Sequence, residues 1–299
     1  MTPDLKKLEG KTILIAGGTG FIGTALRKSL ENVDANIITP SRVDLDFSYQ
    51  PSIKFRFADV VIHSAGYGQP NLFIPRPVET IKVNTDLTER LFNYLKPDGT
   101  FLFCSSSEIY SGLDKVANES NVGVMAPWEP RAAYVYGKLA GETIVNSYRK
   151  QGVKAFSARI SSAYGPGTRK HDTKAMNQFI ESALTKKRIE LLDSGRAIRT
   201  YCYIDDTIEM LWNIILNGTQ PVYNVGGHSV ATVADIARKI SELTGADLII
   251  PTGAADRTGG PQNVQLDLSR IESEFGKTEY VSLDEGMRRT IDYQKGLYL

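Results

Sequence analysis

Apolar and polar positions alternate along the first half of the chain in two rhythms. Short runs rich in apolar residues occur at Lys11–Ala16 (KTILIA), Asn36–Thr39, Asp59–His63 (DVVIH), Thr100–Cys104 (TFLFC) and Val153–Ile160. Runs of this length bounded by turn residues predict buried strands. Between them lie stretches with helical spacing, from about Ile22 to Glu31, over Val78–Leu95, and over Ala132–Lys150. The Val78–Leu95 stretch stops before Pro97-Asp98-Gly99, a strong turn sequence. Strand and helix in this alternation predict βαβ units and a parallel sheet with helices on both faces, an α/β Rossmann-type doubly wound fold.

The rhythm changes after Tyr164-Gly165-Pro166-Gly167. A helix is predicted over Thr173–Lys187, a strand at Ile189–Leu192, and amphipathic helices over Val233–Leu243 and Leu283–Tyr293. Pro221–Val225 reads as a strand that returns to the main sheet. The expected division is a dinucleotide-binding domain over 1–165, with returning segments near 200–227. Residues 166–299 then form most of a smaller C-terminal α/β substrate lobe.

Composition adds exclusions more than chemistry. The 299 residues carry a formal net charge of +1, so no global field draws the chain to nucleic acid or to an anionic membrane. No apolar run approaches a membrane span, and the first ten residues lack the apolar core of a signal peptide. Two isolated cysteines, Cys104 and Cys202, and three scattered histidines, His63, His171 and His228, make neither a disulfide framework nor a metal site. A metal-free cytoplasmic protein is expected.

Two stretches point to chemistry. The first is the turn GGTGFIG that follows the first strand and opens the first helix. Gly17 suits the tight turn, Gly20 lets backbone approach a pyrophosphate, and Gly23 lets helix and strand pack closely. Phe21 and Ile22 then stand in the first helical turn, where free N–H groups can face phosphate. Where an NAD-binding chain ends its second strand in an acid, this one reads Thr39-Pro40-Ser41-Arg42, with no acid before Asp44. Ser41 and Arg42 suit the 2′-phosphate of NADP, so the cofactor is NADP or NAD with a lean to NADP; Asp44 reaching back would restore NAD.

The second stretch comes in two pieces, Cys104-Ser105-Ser106-Ser107-Glu108-Ile109-Tyr110 and Tyr134-Val135-Tyr136-Gly137-Lys138. The i, i+4 spacing puts Tyr134 and Lys138 on one helical face. A tyrosine ordinarily titrates near 10, too high for a base at neutral pH. A fixed ammonium nearby and a positive nicotinamide ring would favour the phenolate. Tyr136 has Ala140 one turn on, so only Tyr134 has the lysine.

Together GGTGFIG, SSSEIY and YVYGK resemble the extended short-chain dehydrogenase/reductase family, whose members include nucleotide-sugar epimerases, dehydratases and decarboxylases. The likeness continues through Pro77-Val78, Asn84, Ala158-Arg159, Tyr164-Gly165-Pro166, RTYCYIDD (Arg199–Asp206) and LDEGMRRTIDY (Leu283–Tyr293). The resemblance implies catalysis by Ser106, Tyr134 and Lys138, with Glu108 beside them. It implies cofactor contacts from Gly17, Gly20, Phe21, Ile22, Gly23, Ser41, Arg42, Asn84, Tyr134 and Lys138. Substrate contacts fall on Ser106, Ser107, Arg199 and Arg257, the two arginines clamping a nucleotide diphosphate. It further implies a 4-keto sugar intermediate, no metal, and a homodimer joined by the helices near Val78–Leu95 and Ala132–Lys150.

Departures from the pattern bear on the reaction. The dehydratases carry an Asp-Glu pair where this chain has Ser107-Glu108, and the decarboxylases an arginine where it has Gln265. Epimerisation needs neither group, so an epimerase is expected first. An NADPH-dependent 4-keto-sugar reductase or a 4,6-dehydratase follows. A non-catalytic cofactor-binding sensor or nucleic-acid-associated protein is the alternative of another class. Ser162, where many relatives have Asn, and Leu192, where a base-stacking aromatic is common, leave the base open.

Overall fold

The computed structural model describes residues 2–41, 57–251 and 260–299. Its first half runs β1 (Thr12–Ala16), α1 (Phe21–Lys28), β2 (Asn36–Ile38), β3 (Ala58–His63), α2 (Pro70–Phe73), α3 (Pro77–Asn84), α4 (Asp86–Phe92), β4 (Leu95–Ser106), β5 (Val116–Ala117), α5 (Ala132–Lys150), β6 (Lys154–Ile160) and β7 (Ser162–Tyr164). The second half runs α6 (Ala175–Lys186), β8 (Arg188–Glu190), β9 (Ile198–Tyr203), α7 (Ile204–Asn217), β10 (Val222–Val225), β11 (Ser229–Thr232), α8 (Val233–Thr244), β12 (Asp247–Ile249), β13 (Asn263–Leu266), α9 (Ser269–Phe275) and α10 (Leu283–Tyr298).

Six strands form one sheet in the order β10-β6-β4-β3-β1-β2, and every pair in it is parallel. The doubly wound fold read from the sequence is therefore present. Apolar residues such as Ile13, Leu14, Ile15, Val61, Ile62, Phe101, Leu102 and Phe156 are buried, because helices cover both faces. The chain leaves β1 toward β2 on one side and reaches β3 on the other. That reversal opens a crevice at the carboxyl ends of β1 and β3, where open α/β sheets bind ligands. The predicted return to the sheet is β10, which pairs with β6 from Val222↔Ser157 to Val225↔Ile160.

A second sheet has the order β11-β9-β13-β5, with β7 also paired to β9. Pairs β8 and β12 make a small third sheet. Most of the second sheet was not visible in the apolar pattern, because its strands are only two to six residues long. Strand β9 is the hub: it meets β7, β11 and β13, and it feeds directly into α7. Each of the two larger sheets holds one of the two cysteines, Cys104 in β4 and Cys202 in β9, both buried and free.

Two sequence expectations need correction. The helix expected over Val78–Leu95 is two helices, α3 and α4, that meet at Thr85 and end at Phe92. Thr85 takes φ −110° and ψ −73°, and its hydroxyl accepts no cap bond but donates back to the Ile81 carbonyl at 3.0 Å. The turn sequence Pro97-Asp98-Gly99 does not precede β4 but lies inside it. It is absorbed as a register shift between Ala58↔Leu95 and Val60↔Thr100.

Helix α5 lies unusually close to its neighbours because of two glycines. A Cβ on Gly141 would stand 2.5 Å from the Phe103 ring and 2.7 Å from the Asn84 carbonyl. At Gly137 the nearest atom, Asn84 Nδ2, is 3.4 Å away. Small residues on this face bring α5 down onto β4 and α3.

Candidate active site

The glycine turn takes the form its spacing predicts. Gly17 has φ 83°, a left-handed value, and a Cβ there would meet the Ala65 amide at 2.6 Å. A Cβ on Gly23 would run into the Gly17 carbonyl at 2.2 Å, so this glycine sets the approach of α1 to the turn. Gly20 is the N-cap, and Phe21 and Ile22 open α1, whose first-turn amides have no acceptor within the helix. Ser41 is exposed at the edge of the described residues. Arg42, Asp44 and Arg257 lie outside them.

Ser106 ends β4, and Tyr134 and Lys138 sit in the first two turns of α5. All three are buried. The Ser106 hydroxyl accepts from the Glu108 amide at 3.1 Å and is close enough to the Tyr134 phenol to favour its anion. The Tyr134 ring stacks on Phe73 at 4.6 Å between centroids. Burial pushes the Tyr134 phenol up to about 12, the Glu108 charge adds to this, and Ser106 and Arg131 oppose it. Burial likewise brings Lys138 down to about 8, against the raising influence of Cys104 and Glu142.

The expectation that Lys138 draws Tyr134 to the phenolate needs revision. Lys138 Nζ donates to the Cys104 carbonyl at 2.8 Å and stands 5.9 Å from the Tyr134 ring centre. The chain's own groups thus hold Tyr134 as a neutral phenol at neutral pH. A neutral phenol is a proton donor first, and becomes a base only when added positive charge stabilises its anion.

The structure also assembles groups that the sequence reading passed over. Arg131, one turn before Tyr134, donates from Nη1 to both oxygens of Glu108, at 2.7 and 2.8 Å. Arg199, on β9, is close enough to feel both charges: Glu108 supports its protonation and Arg131 opposes it, while burial lowers its pKa most. A Cβ on Gly260 would stand 3.8 Å from Arg131 Nη2 and 3.9 Å from Arg199 Nη2, so the two guanidinium groups flank one point. The i, i+3 spacing of Arg131 and Tyr134 was the signal available in the sequence. Ser107 is buried at the head of the single turn Ser107–Tyr110.

Beneath these groups lies a buried polar layer. Glu142, one turn after Lys138, accepts from Ser105 Oγ at 2.5 Å and from Arg159 Nη2 at 2.8 Å. Arg159 also donates to the Tyr110 hydroxyl, which donates to Asn224. This layer ties α5 to β4 and β6 directly under Ser106.

A nicotinamide dinucleotide fits the residues present. The crevice has a glycine cradle that side chains would fill. At the same edge, two buried polar atoms have no partner among the described residues, Asn84 Oδ1 and Ser161 Oγ. Ser161 is one residue beyond Ile160, the strand partner of Ser106. Asn84 otherwise donates to the Thr80 carbonyl at 2.7 Å and packs on Gly137. Among the described residues no group of three or more His, Cys, Asp or Glu side chains could hold a metal. No helix among them is long and apolar enough to cross a membrane.

The sequence profile of the NAD dependent epimerase/dehydratase family matches residues 13–226, from β1 through the end of β10. The chain is an enzyme of that family. It is 26% identical to UDP-glucuronic acid decarboxylase 1 of Xenopus tropicalis, over 97% of this chain and 73% of the relative. Its fold matches MoeE5, solved with UDP-glucuronic acid and NAD, with a TM-score of 0.80 and 22% identity, covering 96% of this chain and 99% of that one. It matches UDP-glucose 4-epimerase of Thermotoga maritima, solved with UDP-glucose, with a TM-score of 0.80 and 21% identity, covering 96% of this chain and all of the other. Enzyme membership sets aside the non-catalytic sensor. The relatives' names span decarboxylation and epimerisation, so the reaction must be argued from this chain's own site.

Proposed function

We propose that the protein is a nucleotide-sugar 4-epimerase working through a 4-keto intermediate, with Ser106, Tyr134 and Lys138 as its catalytic set. The observation that carries this reading is the meeting of three buried residues at the carboxyl edge of the sheet, Ser106 at the end of β4 and Tyr134 and Lys138 one turn apart on α5. When bound, the nicotinamide supplies reversible hydride acceptance at sugar carbon 4. Tyr134 takes the carbon-4 hydroxyl proton in one direction and returns it in the other. Ser106 orients the same oxygen. Lys138, fixed by the Cys104 carbonyl, is placed to hold the cofactor ribose and to lend positive charge. Arg199 and Arg257 are the proposed diphosphate clamp, and Ser107 borders the sugar. Residues 166–299 are the proposed substrate lobe.

NAD is the cofactor proposed. The family's name supports it, whereas the lean to NADP rests on Ser41 and Arg42, and Arg42 lies outside the described residues. Titration with each dinucleotide separately decides between them: NAD is expected to bind more tightly.

A second reading is favoured by one observation. Glu108 is held by Arg131 beside Tyr134, a carboxylate that an epimerase does not require. It suits removal of a proton or of carboxylate-derived carbon dioxide from a keto sugar. Incubation with NAD and UDP-glucose or UDP-glucuronic acid, followed by mass spectrometry and NMR, separates the cases. An isomer of unchanged mass is expected. A product lighter by carbon dioxide or by water supports the second reading, whereas a reductase leaves both sugars unchanged and instead oxidises NADPH when given a 4-keto sugar.

A homodimer is proposed through α3 and α5, which expose Val78, Ile81 and Tyr136. Sedimentation velocity is expected to give a dimer mass.

A further inference from the structure

The segment from Gly165 to Lys174, between β7 and α6, lies across the crevice between β1 and β3. Three of its residues take positive φ: Gly165 at 145°, Gly167 at 101° and His171 at 58°. These sharp turns keep it close to the surface it crosses. On the β1 side, Arg169 Nη2 donates to the Thr19 carbonyl at 2.6 Å, within the glycine turn. On the β3 side, Gln69 Nε2 donates to Asp172 Oδ2 at 2.7 Å, and the Thr173 hydroxyl donates to Gln69 Oε1 at 2.5 Å. From α10, the Tyr293 hydroxyl donates to the Thr168 carbonyl at 3.2 Å, and Tyr298 accepts from the His171 amide at 2.8 Å. The segment is a strap pinned on both sides of the crevice and from behind.

Lys174 ends this strap. Its Nζ lies 5.2 Å from the centre of the Phe21 ring, the first residue of α1. Burial lowers its pKa, and the Asp172 charge offsets this only in part. Among the described residues its ammonium makes no ion pair. Its side chain is half-buried, and a further anion beside it would stabilise the ammonium. The first-turn amides of α1 stand beside the same ring and also favour an anion. Two independent features, one from each side of the crevice, thus converge on one negative group.

We propose that Lys174 binds the cofactor pyrophosphate opposite the N-terminus of α1, and that the strap must leave Thr19 and Gln69 before the cofactor can depart. This rests on the reading that a nicotinamide dinucleotide occupies the glycine turn. Arg169 is a positioning residue: it holds the strap down and does not itself contact the phosphates.

The test is NAD binding to the cofactor-stripped full chain, by calorimetry, with release followed by stopped-flow competition. Lys174→Met, which keeps the side-chain volume, is expected to weaken NAD binding about tenfold or more. Lys174→Arg is expected to bind within a few-fold of wild type, which guards against a folding defect. Arg169→Ala is expected to speed NAD release several-fold. Lys170→Ala, whose ammonium lies over Tyr298 instead, is expected to change neither quantity. UDP-glucose binding is expected to be unaffected by Lys174→Met.

Equal NAD affinity in wild type and Lys174→Met overturns the proposal. So does a loss of UDP-glucose binding with NAD binding intact, which would assign the cation to substrate. A wild-type chain that binds no dinucleotide overturns the cofactor reading itself, a result distinct from either.

Discussion

Lys138 is buried, and its pKa falls to about 8 from an ordinary 10.5. Below pH 8 the folded chain must hold an ammonium that the unfolded chain leaves in water. A depressed lysine pKa therefore costs stability below about pH 8, and the cost fades as pH rises toward 10.5. Lys138→Met is expected to raise unfolding free energy at pH 7, on the order of 1 kcal/mol after the lost bond to Cys104 is counted. The gain should shrink near pH 10, and turnover should be lost at every pH. Tyr134→Phe removes only the proton-transfer oxygen, and kcat should drop on the order of a hundredfold or more. Activity that survives Tyr134→Phe would sink the catalytic assignment.

His63 gives a second pH signature. It is fully buried, donates through Nε2 to the Val83 carbonyl at 2.9 Å, and has its pKa lowered to about 3 by burial and by Lys138. The unfolded chain takes up a proton near pH 6.5 while the folded one does not. Stability should thus fall as pH drops from about 6.5 toward 3, by at most about 1.4 kcal/mol per pH unit from this residue. Denaturant titrations across that range should show a shallower slope in His63→Leu. The sequence made Tyr134 and Lys138 legible, because four-residue spacing on a helix fixes a shared face. It did not expose Arg131 as a partner of Glu108, since that pair joins residues 23 apart through a loop.

Among the elements, α5 was readable to the residue, Ala132–Lys150. Its helical spacing runs through Gly137 and Gly141 without a proline and stops at Gln151-Gly152. Helices α3 and α4 were not separable in the sequence, because apolar spacing continues across Thr85 and the break lies in backbone angles. Strands β5, β7, β9, β11 and β13 were largely missed, for they draw their order from each other and not from an apolar run. The close seat of α5 can be tested through Gly141. In Gly141→Ala the new methyl would meet the Phe103 ring at 2.5 Å and the Asn84 carbonyl at 2.7 Å. The variant should lose about 1–3 kcal/mol of stability. It should also lose activity beyond that, because α5 carries Tyr134 and Lys138. An unchanged melting temperature would show that the helix can back away freely.

For the molecule as a whole, the crevice was predictable from the strand rhythm, while its roof was not. The rhythm predicts parallel βαβ units, and the observed order of the six strands shows where the chain reverses. The strap from Gly165 to Lys174 depends on contacts between residues more than 100 positions apart, such as Gln69 with Asp172 and Thr173. A ligand gripped by both sides of such a crevice stabilises the fold by mass action. NAD at about a hundred times its Kd should add about 2.7 kcal/mol to the unfolding free energy. Thermal melts with and without NAD measure this. No shift at saturating NAD would contradict occupancy of the folded crevice.

One thiol lies in each of the two larger sheets, and burial raises both to about 12. A thiol in that condition does not react until its strand is exposed. Cys104 and Cys202 therefore serve as built-in clocks of local opening, one beneath Lys138 and one on the strand that carries Arg199. Pulse alkylation followed by peptide mapping would time the two openings in the same sample. If the sheets open as one body, the clocks agree. If the second sheet unfastens first, Cys202 is labelled ahead of Cys104, and the order of labelling tells which half of the enzyme gives way.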